Sequence, residues 1–325
     1  MTDAGTPPSS ARKRILVLSY SQTGQLDDIV ASLLAPLRDD PQIAVHVEVL
    51  LPQPRFPFPW GFFSFLDAFP ESAHLAPPPL APLSLRGDED FDLVILPWQV
   101  WYLAPSQPIT AFLKHPLARQ LLAGKPVVSV VACRNMWLLA FEKLKAMLDD
   151  CGARLIDHVA LVDRAHTMAT LVTAPLWLLS GQRQLLRCLP PAGVSAQDTK
   201  RCARFGRALR DALHDGLERG DAPLLSGLQA VEADPGLLFS ERAATRSFFV
   251  WGKLLRAAGQ PGSWQRKPLL LLYLVFLVVI VFTVVPLSLL VQALLRPLLR
   301  ARHARLKQVF EQPSGSGSER LAQYE

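Results

Sequence analysis

The chain has 325 residues, 50% of them hydrophobic and 19% charged, with 28 prolines and a net charge of +6. That length holds one large or two modest domains, and a positive mean hydropathy is too apolar for an ordinary soluble protein of this size. The excess is local: residues 268–295, "PLLLLYLVFLVVIVFTVVPLSLLVQALL", carry no formal charge over 28 positions, more than the ~20 apolar residues a helix needs to cross a bilayer.

The first stretch, "MTDAGTPPSSARKR", is polar, so residues 1–13 are expected to be disordered. The apolar run behind it is too short for a signal-peptide core. The first 260 residues are therefore expected in the cytosol, on the cytoplasmic face of the inner membrane. Five apolar, β-branched runs follow as predicted strands: residues 14–19, 43–50, 91–96, 126–132 and 154–161. Helical patterns lie between them at 25–37, 108–122 and 137–151. Strands alternating with helices predict an α/β domain over residues 14–165, with a parallel sheet covered on both faces.

Residues 52–84 interrupt the alternation, and nine prolines fall within 52–82. Proline removes amide donors and fixes φ, so regular helix or strand is not expected there. Phe56, Phe58, Trp60, Phe62, Phe63, Phe65 and Phe69 predict an ordered insertion, packed over the sheet or lining a pocket. A helical extension is expected over 166–260, with helices at 167–187 and 195–218 and an amphipathic stretch at 242–258 able to lie on a membrane surface. The tail, 296–325, reads as basic and then flexible.

Basic residues bracket the apolar segment. Lys253, Arg256, Arg266 and Lys267 precede it; Arg296, Arg300, Arg302, Arg305 and Lys307 follow. Such clusters favour anionic lipid head groups, and no base-reading module accompanies them, so membrane lipids and not nucleic acid are the expected partner. A single span leaves five basic residues outside against four inside, which the positive-inside rule disfavours. A re-entrant hairpin bent at Pro286, or an interfacial lie, is preferred. The cysteines Cys133, Cys151, Cys188 and Cys202 are scattered, with no metal-ligand spacing.

Three stretches at predicted strand ends carry chemistry. "SYSQTGQLDD" follows the first strand and opens the first helix, where free amides and the helix dipole favour an anion. Ser21 and Thr23 add hydroxyls, Gly24 permits close approach, and Gln22 and Gln25 flank them. The stretch lacks both GxGxxG and GxxxxGK[ST], and suits a phosphate monoester such as that of FMN. The lesser reading is that Ser21 and Thr23 merely cap a helix, and Asp27 and Asp28 oppose a dianion unless they point outward. The second stretch, "PWQVWYLAPSQP", offers Trp98, Trp101 and Tyr102 as stacking surfaces for a flavin. In the third, "CRNMW", Asn135 is placed for the pyrimidine edge of the ring and Arg134 for an anionic or enolic oxygen.

These features, in this order, resemble the flavodoxin-like fold, a three-layer sandwich around a five-stranded parallel sheet, here followed by a helical, membrane-associated C-terminal region. In that family a T/S-x-T-G-x-T turn holds the FMN phosphate; residues 21–25 match and Leu26 replaces the last hydroxyl. More specifically, "YSQTGQL", "PFPWGFFSFLDAFPES", "WQVWYLAPSQPI", "RNMW", "LVDRA" and "LPPAGVS" resemble the bacterial dialkylresorcinol condensing enzymes over residues 14–205. Condensation needs an activated cysteine with a base and oxyanion donors, a set not visible here. The resemblance implies instead an FMN-dependent oxidation of a lipid-like cyclic dione to an aromatic resorcinol, alongside a pathway ketosynthase. Asp163, Arg164 and His166, in "VDRAH", are the candidate acid–base residues, each equally suited to a surface ion pair or loop hydrogen bond. The alternative is a membrane-tethered flavodoxin acting as electron carrier or scaffold.

Overall fold

The computed structural model describes residues 12–325; residues 1–11 of the polar N-terminal stretch lie outside them. Its strands are β1 (Lys13–Ser19), β2 (Ile43–Val49), β3 (Leu93–Trp101), a two-residue β4 (Ala104–Pro105), β5 (Pro126–Cys133) and β6 (Arg154–Val162). The sheet runs β2-β1-β3-β5-β6 with every neighbouring pair parallel, while β4 folds back antiparallel onto the end of β3. Counting the parallel strands alone, the order is 2-1-3-4-5, that of the flavodoxin-like fold. Ile15 to Leu18, Leu93 to Leu96 and Pro126 to Val131 are buried without alternation, because both faces of the sheet are covered.

The chain leaves β1 through α1 (Gln25–Arg38) to β2 on one side. Between β2 and β3, the insertion carries α2 (Phe62–Asp67) and α3 (Phe69–Ala73). From β3 it advances the other way, through α4 (Gln107–Leu113), α5 (Pro116–Leu122) and α6 (Leu138–Asp150). Right-handed crossovers place α1 and the α4–α6 group on opposite faces. The single helix expected over 108–122 is two, because Pro116 sets the start of a new helix at N1 behind the His115 cap.

After β6 come α7 (Thr167–Ser180), α8 (Ala196–Arg201) and α9 (Ala203–His214). Residues 196–214, expected in a helical extension, belong to the α/β body. Phe205, Ala208, Leu209 and Leu213 of α9 are buried in its core. Gly206 permits the contact with α1, since a Cβ there would lie 1.9 Å from the Leu33 carbonyl oxygen.

The insertion contains helix where none was expected. "FFSFLD" holds no proline, and Pro70 stands in the first turn of α3, where its missing amide costs nothing. The expected ordering holds: Trp60 and Phe69 are buried, and Gln107 Nε2 donates to the Ala68 carbonyl at 2.9 Å and to Ser72 Oγ at 3.0 Å.

Two helices complete the chain before the tail. α10 (Leu238–Ala258) begins beside α6, and α11 (Arg266–Glu311) is a continuous helix of 46 residues. Pro286 lies within it, so the backbone makes no re-entrant turn there; residues Arg266–Thr283 are long and apolar enough to cross a membrane. The tail expected to be flexible packs on the body. Gln229 N donates to the Gly317 carbonyl at 2.7 Å and Ala160 N to that of Ala230 at 2.9 Å, so residues 229–231 and the tail cover the β6 edge. A four-residue α12 (Leu321–Tyr324) ends it, with Tyr324 buried.

Candidate functional site

Ligands in this fold bind beyond the carboxyl ends of the strands, where the strand order reverses between β1 and β3. A cavity of about 170 Å³ lies there. Thr23 and Gln25 reach it from the turn after β1, Gln99 and Trp101 from the end of β3, and Cys133 and Arg134 from the end of β5. The three predicted stretches therefore converge on one cavity.

The turn itself is a helix N-terminus in which Gly24, at φ 83, stands as N-cap without a side-chain cap. No atom lies within 4 Å of a Cβ built there, so only the left-handed backbone calls for glycine. Part of the turn's polarity is used internally: Gly24 N donates to Ser21 Oγ at 3.1 Å and Gln25 N to Thr23 Oγ1 at 3.4 Å. Asp27 bonds to the Ser21 side chain; burial, offset by that bond and reinforced by Asp28, raises its carboxyl above the ordinary value. The two glutamines act as clamps. Gln22 Nε2 donates to the Pro57 carbonyl at 2.6 Å and its Oε1 accepts from the Tyr20 hydroxyl, tying the turn to the insertion. Gln25 pairs with both backbone groups of Val194 at 3.0 Å, holding the loop after α7 over the cavity.

The aromatic residues divide. β3 continues through Trp101, so its side chains still alternate where a loop was expected. Trp98 faces the core, not the cavity, fully buried with Nε1 donating to Ser129 Oγ at 2.8 Å. Ser129 in turn lies 3.2 Å from His158 Nδ1, and burial depresses that imidazole to about 3, leaving it neutral. Trp101 does line the cavity, with Phe56, Trp60 and Tyr20 rings packed around it at 5.0, 5.4 and 5.9 Å. Tyr102, at φ 49, turns away: its hydroxyl donates to the Phe65 carbonyl and its ring packs with Phe69 and Phe248.

Arg134 and Asp163 are the charged residues lining the cavity. Burial lowers the Arg134 guanidinium pKa, and its Nη1 reaches Thr170 Oγ1 at 3.4 Å. Asp163 accepts from Ala165 N at 2.9 Å and Gly193 N at 2.8 Å. Burial, with Glu241 and Asp163 nearby, pushes the Cys133 thiol well up, against any thiolate role.

The rest of the predicted set is not brought together. Asn135 lines a second cavity of about 1240 Å³ beside α11, which shares Asp163 with the first, and donates to Thr167 Oγ1 at 3.3 Å. Arg164 is exposed, 3.9 Å from Asp198, and His166 is an exposed cap whose Nδ1 accepts from Met168 N. The "VDRAH" turn alternates its side chains after β6, so only Asp163 points inward. Sequence reasoning did not single out Gln99, whose Oε1 is buried in the cavity wall without a partner, nor Trp177 and Gly193, which roof it. "LPPAGVS" was the available signal: a Cβ at Gly193 would lie 2.5 Å from Gln25 Oε1 and 2.9 Å from the Trp177 ring.

No protein-family model matches the chain, and no curated protein does. Solved structures of similar fold include a Lactobacillus acidophilus flavoprotein in complex with FMN, 15% identical over 46% of this chain and 93% of its own, with a TM-score of 0.37. Another is a flavodoxin from the domain Archaea, at 11% identity, 62% and 99% coverage and a TM-score of 0.33. A third is oxidised flavodoxin 1 from Bacillus cereus, at 15%, 60%, 95% and 0.32. The fold assignment rests on the strand order, independently of these likenesses.

Proposed function

We propose that this chain is an FMN-dependent oxidoreductase that converts a lipid-like cyclic dione to an aromatic resorcinol at a membrane. One observation carries the flavin reading: the cavity at the β1/β3 reversal joins a helix N-terminus through Thr23 and Gln25, the unpartnered Gln99 Oε1, and Arg134. The Thr23 hydroxyl, the helix N-terminus and the Arg134 guanidinium are donors suited to a phosphate monoester, and the Gln99 carbonyl oxygen is an acceptor for the N–H edge of a flavin. Ser21, Thr23 and Gly24 would hold the phosphate, while Gln99, Trp101 and Arg134 would border the ring. The cavity's 170 Å³ is below the ~300–1,000 Å³ usual for ligand sites, so binding requires the covers at Phe56–Trp60 and Ala192–Val194 to open.

FMN, when bound, supplies a two-electron acceptor. The chain's own residues hold the substrate and move its proton. Arg134 neutralises the enolate oxygen that develops as the dione loses a proton, and Asp163 accepts that proton. The dione loses a hydride and a proton, which balances its conversion to the resorcinol. The choice of substrate is supported by the run of sequence motifs.

Purified in detergent, the protein should show flavin absorbance or acquire it on FMN titration, and convert a dialkylcyclohexanedione to a resorcinol when given an electron acceptor. Absence of both bound and titratable flavin overturns the reading. Flavin without turnover supports the electron-carrier alternative instead.

A further inference from the structure

The long helix α11 is fastened to the α/β body at both ends. At its start Arg266, 1% exposed, pairs with Asp67 at 3.1 Å and Glu71 at 2.9 Å. One and two turns on, Leu270 and Tyr273 are buried against Leu66, Phe69 and Leu255. At its far end Leu306 and Phe310 join the main core. Just beyond, Glu311 Oε1 accepts from Ala233 N at 3.2 Å and Ser314 Oγ donates to Asp157 Oδ1 at 2.6 Å. A bilayer-spanning helix delivers its ends to opposite faces of a hydrocarbon layer ~30 Å thick. One body cannot hold both ends in that arrangement.

Between the fastenings the helix presents apolar side chains outward: Leu272 is 55% exposed, Val275 61% and Phe282 70%. The approach to it adds Trp264, 72% exposed, and Phe62, 44% exposed. Cations stand at both ends of the apolar stretch: Lys267 sits 5.4 Å from the Phe63 ring centroid at its start, and Arg302 and Arg305 are exposed on α11 beyond it. Exposed aromatics and aliphatics beside basic residues match the interface of an anionic leaflet.

We propose that the apolar segment is a monotopic anchor: as one continuous helix it lies in a single leaflet of an anionic bilayer, so that body and tail share one compartment. The inference is independent of the flavin reading and deepens only the membrane association.

Two thiols test it. Cys188 is an exposed cysteine of the body, ahead of the segment, and Gln308→Cys in a Cys188→Ser background places a thiol behind it. Full-length chain in sealed membrane vesicles of known orientation is treated with an impermeant maleimide, and flotation of the purified chain is measured on phosphatidylcholine vesicles with and without phosphatidylglycerol. The expected result is labelling of both thiols from the same face, and at least tenfold more flotation with the anionic lipid. Labelling from opposite faces means a true span and overturns the proposal. Failure to float, with the apolar surface buried in a dimer, overturns it in favour of a second copy as occupant.

Discussion

Ser314 Oγ donates to Asp157 Oδ1 at 2.6 Å, although 157 positions separate the two residues. The same carboxylate accepts from Leu224 N at 2.7 Å and Leu225 N at 3.1 Å, and Ser314 Oγ accepts from His158 N at 2.8 Å. A buried edge of β6 is thus satisfied by the chain's last segment.

Burial, partly offset by these hydrogen bonds, raises the Asp157 carboxyl to about 6. The folded state therefore binds this proton more tightly than the unfolded chain. Its contribution to stability is full below the ordinary carboxylate range near ~4 and is lost as pH rises to about 6. The loss amounts to ~3 kcal/mol. Across pH 4 to pH 6 the stability of Asp157→Asn, from urea unfolding, should fall with pH by that much less than in the unaltered chain, the remaining slope belonging to other carboxyls such as Glu241; an unchanged slope would show that Asp157 carries none of it.

Glu241 Oε2 accepts from Leu139 N at 2.8 Å and Oε1 from Leu138 N at 3.3 Å, so α10 caps the start of α6 just behind the cavity. Burial raises this carboxyl to about 7 against the pull of those two bonds. Glu241→Ala leaves both amides unpaired and should cost ~1–3 kcal/mol, whereas Glu241→Gln retains one acceptor and should cost less. Thermal denaturation of the two variants checks the order.

Gly206→Ala should destabilise by ~1–3 kcal/mol, because the added methyl drives α9 off the Leu33 carbonyl. Chemical denaturation should show a lowered midpoint with the slope unchanged. A neutral result would mean that α1 and α9 are not held this close.

Arg266→Met removes one charge from a buried group and leaves Asp67 and Glu71 facing each other without compensation. Breaking a buried pair in this way costs ~3–5 kcal/mol. Limited proteolysis should then cut between α10 and α11 faster than in the unaltered chain.

Arg134→Met should lower kcat by ~10²-fold if the guanidinium stabilises developing negative charge on the dione, with the melting temperature little changed. Wild-type turnover in this variant would remove Arg134 from the proposed chemistry.

The α/β alternation was legible because parallel strands buried on both faces read as apolar runs, and residues 126–132 needed nothing more. The turn after β1 was legible for the same reason: its position is fixed by the strand before it and the helix behind it. What escaped depended on side-chain direction or distant partners. Trp98 and Trp101 look alike in sequence, yet the extra length of β3 sends one into the core and the other to the cavity. Arg164 and His166 adjoin Asp163 but point to solvent. The docked tail was hidden because "PSGSGSER" has a linker's composition, and the Asp157 carboxylate and His158 amide that give Ser314 a place are unremarkable in sequence.

The position of Ser314 also sets an order of events during synthesis. Asp157 is made long before Ser314, and everything between them includes the apolar helix. The β6 carboxylate must wait, without its hydroxyl partner, until that helix has left the ribosome. The Asp157–Ser314 bond can therefore close only after α11 has been made, completed by a segment that emerges behind the apolar helix.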